Sequence, residues 1–259
     1  MRMPHVCILR TDGTNCDEET ATAFQMAGAV TSFVHVNELR SRDKCLADFQ
    51  ILALSGGFSY GDDVASGQIL ANELVSNLGD DIQRFVEASK PILGICNGFQ
   101  VLIRTGLLPF GQLGKVCATL TNNESGRFEC RWVKMVTENE PGCVFRPFLI
   151  WEAINLPVAH GEGRFFAEPA TLEEIERQNL VVLRYSHEGE PTMEFPYNPN
   201  GSVNSIAGIC DPSGCIFGMM PHPERFTRKV HFPNWRRGDF NKPDGLQFFA
   251  SAVNYAAQL

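Results

Sequence analysis

An α/β fold is predicted for this 259-residue chain: a doubly wound, mostly parallel sheet with helices on both faces and a strand-rich second half. Three observations predict it. Short apolar runs alternate with helical patterns through the first hundred residues, strand-like segments dominate the rest, and no Pro/Ser/Gly-rich linker separates the two. A single domain spanning residues 1–259 is therefore expected. Residues 6–9, Val-Cys-Ile-Leu, read as the first strand, residues 17–27 as a helix stopped by Gly28, and the β-branched and aromatic stretch 30–36 as the second strand. Together they form one βαβ unit. Residues 51–54, Ile-Leu-Ala-Leu, make a buried-type strand that runs into a glycine-rich loop. Two helices follow at 68–77 and 80–88, then a strand at 91–95. A helix through Phe99, Val101, Leu102 and Ile103 ends at Gly106. Beyond Lys115, residues 128–136, 180–185, 205–209 and 215–220 are strand-like, whereas 171–178 and 246–257 are helical.

Composition removes several function classes. Twenty-two basic against thirty acidic residues give a net charge of -8, the wrong sign for neutralising a phosphate backbone, so no nucleic-acid partner is expected. No apolar run approaches the roughly 20 residues that cross a bilayer, and Arg10 and Asp12 interrupt the opening stretch too early for a secretory leader. A cytoplasmic protein without a membrane partner is expected. The nine cysteines are odd in number, scattered, and form no CxxC pair, which fits reduced thiols better than a disulfide framework or a zinc site.

The sharpest local signal is Gly94-Ile95-Cys96-Asn97-Gly98, between an apolar strand and an amphipathic helix. With Cys in place of Ser it has the form of a nucleophile elbow, in which small flanking residues permit a tight, strained strand-to-helix turn. The helix N-terminus there favours thiolate, and the N–H after the nucleophile can face a developing oxyanion. A buried structural cysteine at an ordinary turn is the alternative. A thiolate needs a base. His222 and Glu224, in Pro221-His222-Pro223-Glu224, stand two apart at a strand end, so in extended backbone they share a side and can form the second and third members of a triad. A surface turn is the competing explanation. His160, with Glu162 two residues on in a glycine-rich stretch, is the rival base. Ser55-Gly56-Gly57-Phe58, at a strand's carboxyl end, lets backbone N–H groups approach a ligand, as an oxyanion hole or a phosphate cradle. The stretch lacks the Lys-Ser/Thr ending of a P-loop.

With these pieces the chain resembles the class I, triad-type glutamine amidotransferases, and so implies a flavodoxin-like arrangement of the sheet. Stretches 11–17, 55–63, 94–100, 127–132, 160–165, 198–202 and 219–225 are each similar to segments of the glutaminase subunits of phosphoribosylformylglycinamidine synthase. The first, fourth, fifth and sixth are not general to amidotransferases. The resemblance implies that Cys96 attacks the glutamine amide, that His222 carries the proton to departing ammonia, and that Glu224 holds His222. It also implies an oxyanion hole from Gly57 and the Asn97 backbone, with Gly56, Phe58, Gln100, Asn123 and Phe128 as substrate contacts. No cofactor or metal is implied on this chain. The implied partners are a separate synthetase subunit, which uses ATP and magnesium, and a small bridging protein. Stretches 138–152 and 231–244 are longer than in compact versions of the subunit, and their aromatic residues beside Arg146, Arg236 and Arg237 suggest a partner interface. Two other functions compete. One is a stand-alone thiol hydrolase, a peptidase or γ-glutamyl hydrolase, which predicts strong turnover without a partner. The other is a non-catalytic regulatory subunit, which intact Cys96, His222 and Glu224 disfavour.

Overall fold

The computed structural model describes residues 3–138, 142–147, 153–237 and 243–259. The chain begins β1 (His5–Arg10), α1 (Asp17–Met26), β2 (Val30–His35), α2 (Val36–Arg40), β3 (Ile51–Leu54), α3 (Gln68–Glu87), β4 (Ile92–Ile95) and α4 (Asn97–Arg104). It continues through β5 (Ala118–Thr121), β6 (Glu129–Thr137), β7 (Ile154–His160), β8 (Arg164–Ala167), α5 (Pro169–Arg177), β9 (Val181–His187) and β10 (Glu190–Pro191). The last elements are β11 (Ile206–Cys210), β12 (Ile216–Met219) and α6 (Leu246–Ala256). One sheet runs in the order β2-β1-β3-β4-β12-β11-β9-β6-β7, with β10 hanging on β9, while β5 and β8 pair as a separate ribbon.

The parallel character is confined to β2, β1, β3, β4 and β12. Strands β11, β9, β6 and β7 extend that sheet in antiparallel fashion. β3 and β4 are buried along their whole length because helices cover both faces, which is why they read as unbroken apolar runs instead of alternating ones. The chain moves from β1 to β2 in one direction and from β3 to β4 in the other. Right-handed crossovers then place α1 and α3 on opposite faces. α1 packs with α6, where Phe24 and Phe249 meet edge to face, and α3 packs with α4. This reversal opens a crevice at the carboxyl ends of β1 and β3, where sheets of this kind bind ligands.

The two helices expected at 68–77 and 80–88 are one, Gln68–Glu87. The apolar stripe of Leu70, Leu74, Leu78, Ile82 and Phe85 runs past Gly79 unbroken, and burial of that stripe outweighs the roughly 1 kcal/mol helix penalty of a glycine. β7 was not expected at all. Its middle residue, Pro157, cannot donate to a ladder, and the strand is possible because it lies at the sheet's edge. Burial nonetheless alternates residue by residue along it, as an edge strand's should. Of the two stretches expected to meet a partner, residues 139–141, 148–152 and 238–242 lie outside the described residues. Phe232 packs edge to face on Trp132 and against Phe226, so that part of the second stretch is anchored to β6.

Two glycines fix the junctions beneath the crevice. A Cβ on Gly98 would collide with the Leu54 carbonyl, and one on Gly218 with the Phe99 ring. Gly98→Ala and Gly218→Ala should each destabilise the protein by about 2–4 kcal/mol, because neither backbone can retreat from a packed interior. Urea unfolding checks this, and a midpoint within error of wild type would refute it.

Candidate active site

Cys96 sits between β4 and α4 with φ 52° and ψ -105°, a left-handed conformation that costs a non-glycine residue about 1–3 kcal/mol. Its surroundings hold it there. The backbone N–H of Cys96 donates to the Met219 carbonyl at 2.8 Å, and Gly94 lets β4 lie directly against Gly98 and Leu102 of α4. The turn is the strained elbow that the Gly-x-Cys-x-Gly spacing predicts. Cys96 is 6% exposed, and its Sγ lies 3.7 Å from the Ala159 carbonyl oxygen. Asn97 occupies the first turn of α4, where backbone N–H groups have no partner within the helix. Its side chain is committed elsewhere: Oδ1 accepts from the Ser59 N–H at 3.1 Å, and Nδ2 donates to Asp62 and Gln100. Only its backbone is left for the cavity.

β12 pairs with β4 in parallel, Met219 beside Ile95, so the residues that follow each strand emerge side by side. This brings His222 to Cys96 across 126 residues of sequence. His222 Nδ1 and Glu224 Oε1 are 2.5 Å apart, both side chains are about 2% exposed, and the His222 backbone N–H donates to Pro157 of β7. With Nδ1 held, Nε2 is left to the sulfurs of Cys96 and Cys16 and can exchange a proton with the Cys96 thiol. Burial alone would lower the imidazole's pKa. The Glu224 carboxylate, then the Cys96 sulfur, reverse this and hold it well above its ordinary value. His222 is thus kept as imidazolium beside the nucleophile.

His160, the rival base, has a different environment. Burial, then the facing His222 charge, push it down to about 3. Its Nδ1 lies 3.1 Å from Asn123 Oδ1, and Nε2 faces Asn200 Nδ2 at 3.5 Å. A neutral ring fits that arrangement, with the Nδ1 proton given to Asn123 and Nε2 accepting. The Asn123 amide also donates to the Arg127 and His160 carbonyls and accepts from the Gly163 N–H. His160, Asn123 and Asn200 therefore build a rigid roof from the end of β7, and His160 has no spare proton.

Beneath that roof lies a cavity of about 280 Å³ lined by Gly57, Phe58, Cys96, Gln100, Phe128 and the 159–162 stretch, with Asp62, Ser66 and Asn122 completing it. A larger recess of about 760 Å³ lies behind Glu224, between Arg10, Arg228 and α1, but Cys96 does not line it. The structure thus brings Cys96, Gly57, Phe58, Gln100 and Phe128 to one cavity. Asn123 belongs to the roof but does not line the cavity, and Gly56 faces His222 and Cys16. Gln100 uses its amide to donate to the Glu162 carbonyl at 2.6 Å and to accept from Asn97, tying α4 to the roof. Gly57 has φ 145°, and a side chain there would press on Gly13 and Asn15, so this backbone position suits glycine alone. Asp62, Ser66, Asn122 and Glu162 were not picked out by sequence reasoning as cavity residues. Asp62 is held above the usual carboxylate range, first by burial and also by the Glu162 charge. In sequence Glu162 stands only beside His160, and its pairing with Asp62 arises from two loops meeting. Cys16, His222 and Glu224 offer atoms within 4.8 Å of one another, a spacing that would suit a metal ion. Each is engaged by protein instead, Cys16 by Arg225 and His222 by Glu224, which suits charge relay better than coordination.

Residues 3–256 match the model of the CobB/CobQ-like glutamine amidotransferase domain. The chain belongs to this family. A phosphoribosylformylglycinamidine synthase subunit PurQ from Dehalococcoides mccartyi is 47% identical over 253 residues, 97% of each chain. One from Methanococcus maripaludis is 43% identical, covering 98% of this chain and 97% of its own. The structure of PurLQS from Thermotoga maritima contains a chain similar to this one, with a TM-score of 0.75 and 34% identity, covering 98% of this chain and 99% of that one. In this amidotransferase the elbow, the relay and the roof come from β4, β12 and β7.

Glu224→Gln removes the group that keeps His222 charged. It should lower kcat by about a hundredfold or more, and the limb of the pH profile where imidazolium is lost should move to lower pH. Steady-state kinetics across pH check this; an unmoved limb would refute the relay. His160, neutral when folded, binds a proton on unfolding at any pH between about 3 and 6.5. Stability from this residue is therefore complete above about 6.5 and lost as pH falls toward 3. Lowering the pH to about 5 should cost on the order of 2 kcal/mol through His160, a slope that His160→Gln should flatten in urea melts.

Proposed function

We propose that this chain is the glutaminase subunit of phosphoribosylformylglycinamidine synthase, releasing ammonia from glutamine through a Cys96 thioester. The observation that carries the reading is a thiol held in a strained elbow against an imidazole whose far nitrogen is fixed by a buried carboxylate. The full-length similarity to PurQ proteins and to a chain of PurLQS supplies the pathway.

The steps follow from the geometry. Cys96 thiolate attacks the side-chain amide carbon of glutamine, and the oxygen gains charge facing the Gly57 and Asn97 N–H groups. His222 passes its Nε2 proton to the amide nitrogen, and the C–N bond breaks to release ammonia and leave a glutamyl thioester. Neutral His222 then takes a proton from water, hydroxide attacks the thioester, and the C–S bond breaks to release glutamate and restore the Cys96 thiolate beside the His222 imidazolium. Asp62 and Glu162 at the cavity suit the substrate's ammonium group, with Gln100 and Phe128 shaping its amino-acid end. A cavity of about 280 Å³ lies just below the size of typical drug-like sites, fitting an amino acid and not a peptide, which counts against a peptidase.

The ammonia is used by a separate synthetase subunit, with ATP and magnesium bound there, to convert formylglycinamide ribonucleotide to the amidine, and a small third protein bridges the two. No described helix is long and apolar enough to cross a membrane, which agrees with work in the cytoplasm.

A glutamine-like alkylating analogue should label Cys96 alone, as read by peptide mass spectrometry, and Cys96→Ser should reduce glutamine hydrolysis by at least about a thousandfold. Hydrolysis by the isolated chain should be weak and should rise about tenfold or more when the synthetase, the bridging protein and the acceptor nucleotide are present. Full turnover by the chain alone would favour the stand-alone hydrolase instead.

A further inference from the structure

A second thiol stands at the triad. Cys16, 1% exposed, precedes α1 in the loop after β1, and its backbone N–H donates to the Gly56 carbonyl at 3.1 Å. Its sulfur accepts from Arg225 Nη2 at 3.0 Å and donates to Asn15 Oδ1 at 3.1 Å. Cys16, His222 and Glu224 present atoms within 4.8 Å of one another. A Cβ at position 56 would stand 2.9 Å from His222 Cε1 and 3.2 Å from Cys16 Sγ, so glycine there is what lets sulfur and imidazole face each other.

We infer that Cys16 is a positioning residue for the glutaminase reaction: it seats the Arg225 guanidinium beside Glu224, the carboxylate that holds His222. The inference rests on the function proposed above. Arg225 Nε lies 3.9 Å from Glu224 Oε1, and about a third of the Arg225 side chain is exposed, so the guanidinium has solvent as an alternative. Cys16 supplies the inward hydrogen bond that decides between them. A carboxylate at position 16 would hold Arg225 too, but it would cancel the cation and offer His222 a second proton acceptor. A thiol accepts from the guanidinium and leaves its charge in place. Among the described residues, the titratable and charged groups facing His222 are Cys96 from the β4–α4 turn, Cys16 from the loop before α1, and His160 from β7. Glu224 and Arg225 come from its own segment. His160 is neutral, and among the described residues Arg225 is the cation paired with Glu224.

The test reads the thiolate without glutamine. Site-resolved alkylation of Cys96 by iodoacetamide, a small neutral reagent, is followed across pH in the full chain and in Cys16→Ser, Cys16→Ala, Arg225→Ala and the Cys16→Ala/Arg225→Ala double variant. Arg225→Ala should move the acid-side inflection up by about half a pH unit, a charge effect discounted for the side chain's exposure. Cys16→Ala should move it equally, Cys16→Ser should stay near wild type, and the double variant should match Arg225→Ala alone. The glutaminase kcat should fall in step with KM little changed. An unmoved inflection in Cys16→Ala, or additive shifts in the double variant, overturns the inference. Should Cys16→Ala fail to fold, Arg225→Ala decides alone, and an inflection equal to wild type overturns it. A wild-type chain that shows these shifts but leaves glutamine intact would refute the glutaminase assignment and leave the pair standing.

Discussion

The parallel pairing of β4 with β12 is the constraint on which the rest depends. It sets Ile95 beside Met219, fastens the Cys96 N–H to the Met219 carbonyl, and delivers two chain segments to the carboxyl ends of the parallel strands. Every other feature of the site serves that juxtaposition. Gly94 and Gly98 let α4 leave β4 at the angle that lifts Cys96 clear, and Gly218 lets β12 pass beneath Phe99. The strain at Cys96 persists because its neighbours on both sides are packed strands and a helix, none of which can yield without opening the core.

The site also separates two histidines by environment. Both are buried and near enough to feel each other's charge, yet His222 is held charged by Glu224, and His160 is held neutral by burial and by His222 itself. Two imidazolium ions could not share so dry a space, so the charge settles where the carboxylate is. This division gives one ring the proton and the other a structural task, with Asn123 and Asn200 fixing it in place.

The antiparallel half of the sheet does more than extend it. Although β7 is the last strand in the order, its Pro157 accepts from the His222 backbone and its Ala159 carbonyl meets the Cys96 sulfur. Trp132 on β6 packs against Phe226 and Phe232, which holds this half over the carboxyl ends of the parallel strands. Closing the crevice in this way leaves a cavity of a size suited to an amino acid, walled by Asp62 and Glu162.

The βα alternation, the form of the elbow around Cys96 and the His222–Glu224 spacing are legible in the sequence, although a structural cysteine and a surface turn read equally well there until the fold joins them. Each is a local matter of spacing, apolar periodicity or backbone freedom that a few adjacent residues fully express. The family resemblance added the pathway, which no spacing contains. The tertiary structure alone decided the continuity of α3 across Gly79, the strand at β7 despite Pro157, the neutral role of His160, and the approach of Cys16 and Arg225 to Glu224. These depend on burial and on charges meeting across long separations, and a residue's desolvation is a property of everything packed around it, not of its neighbours in the chain.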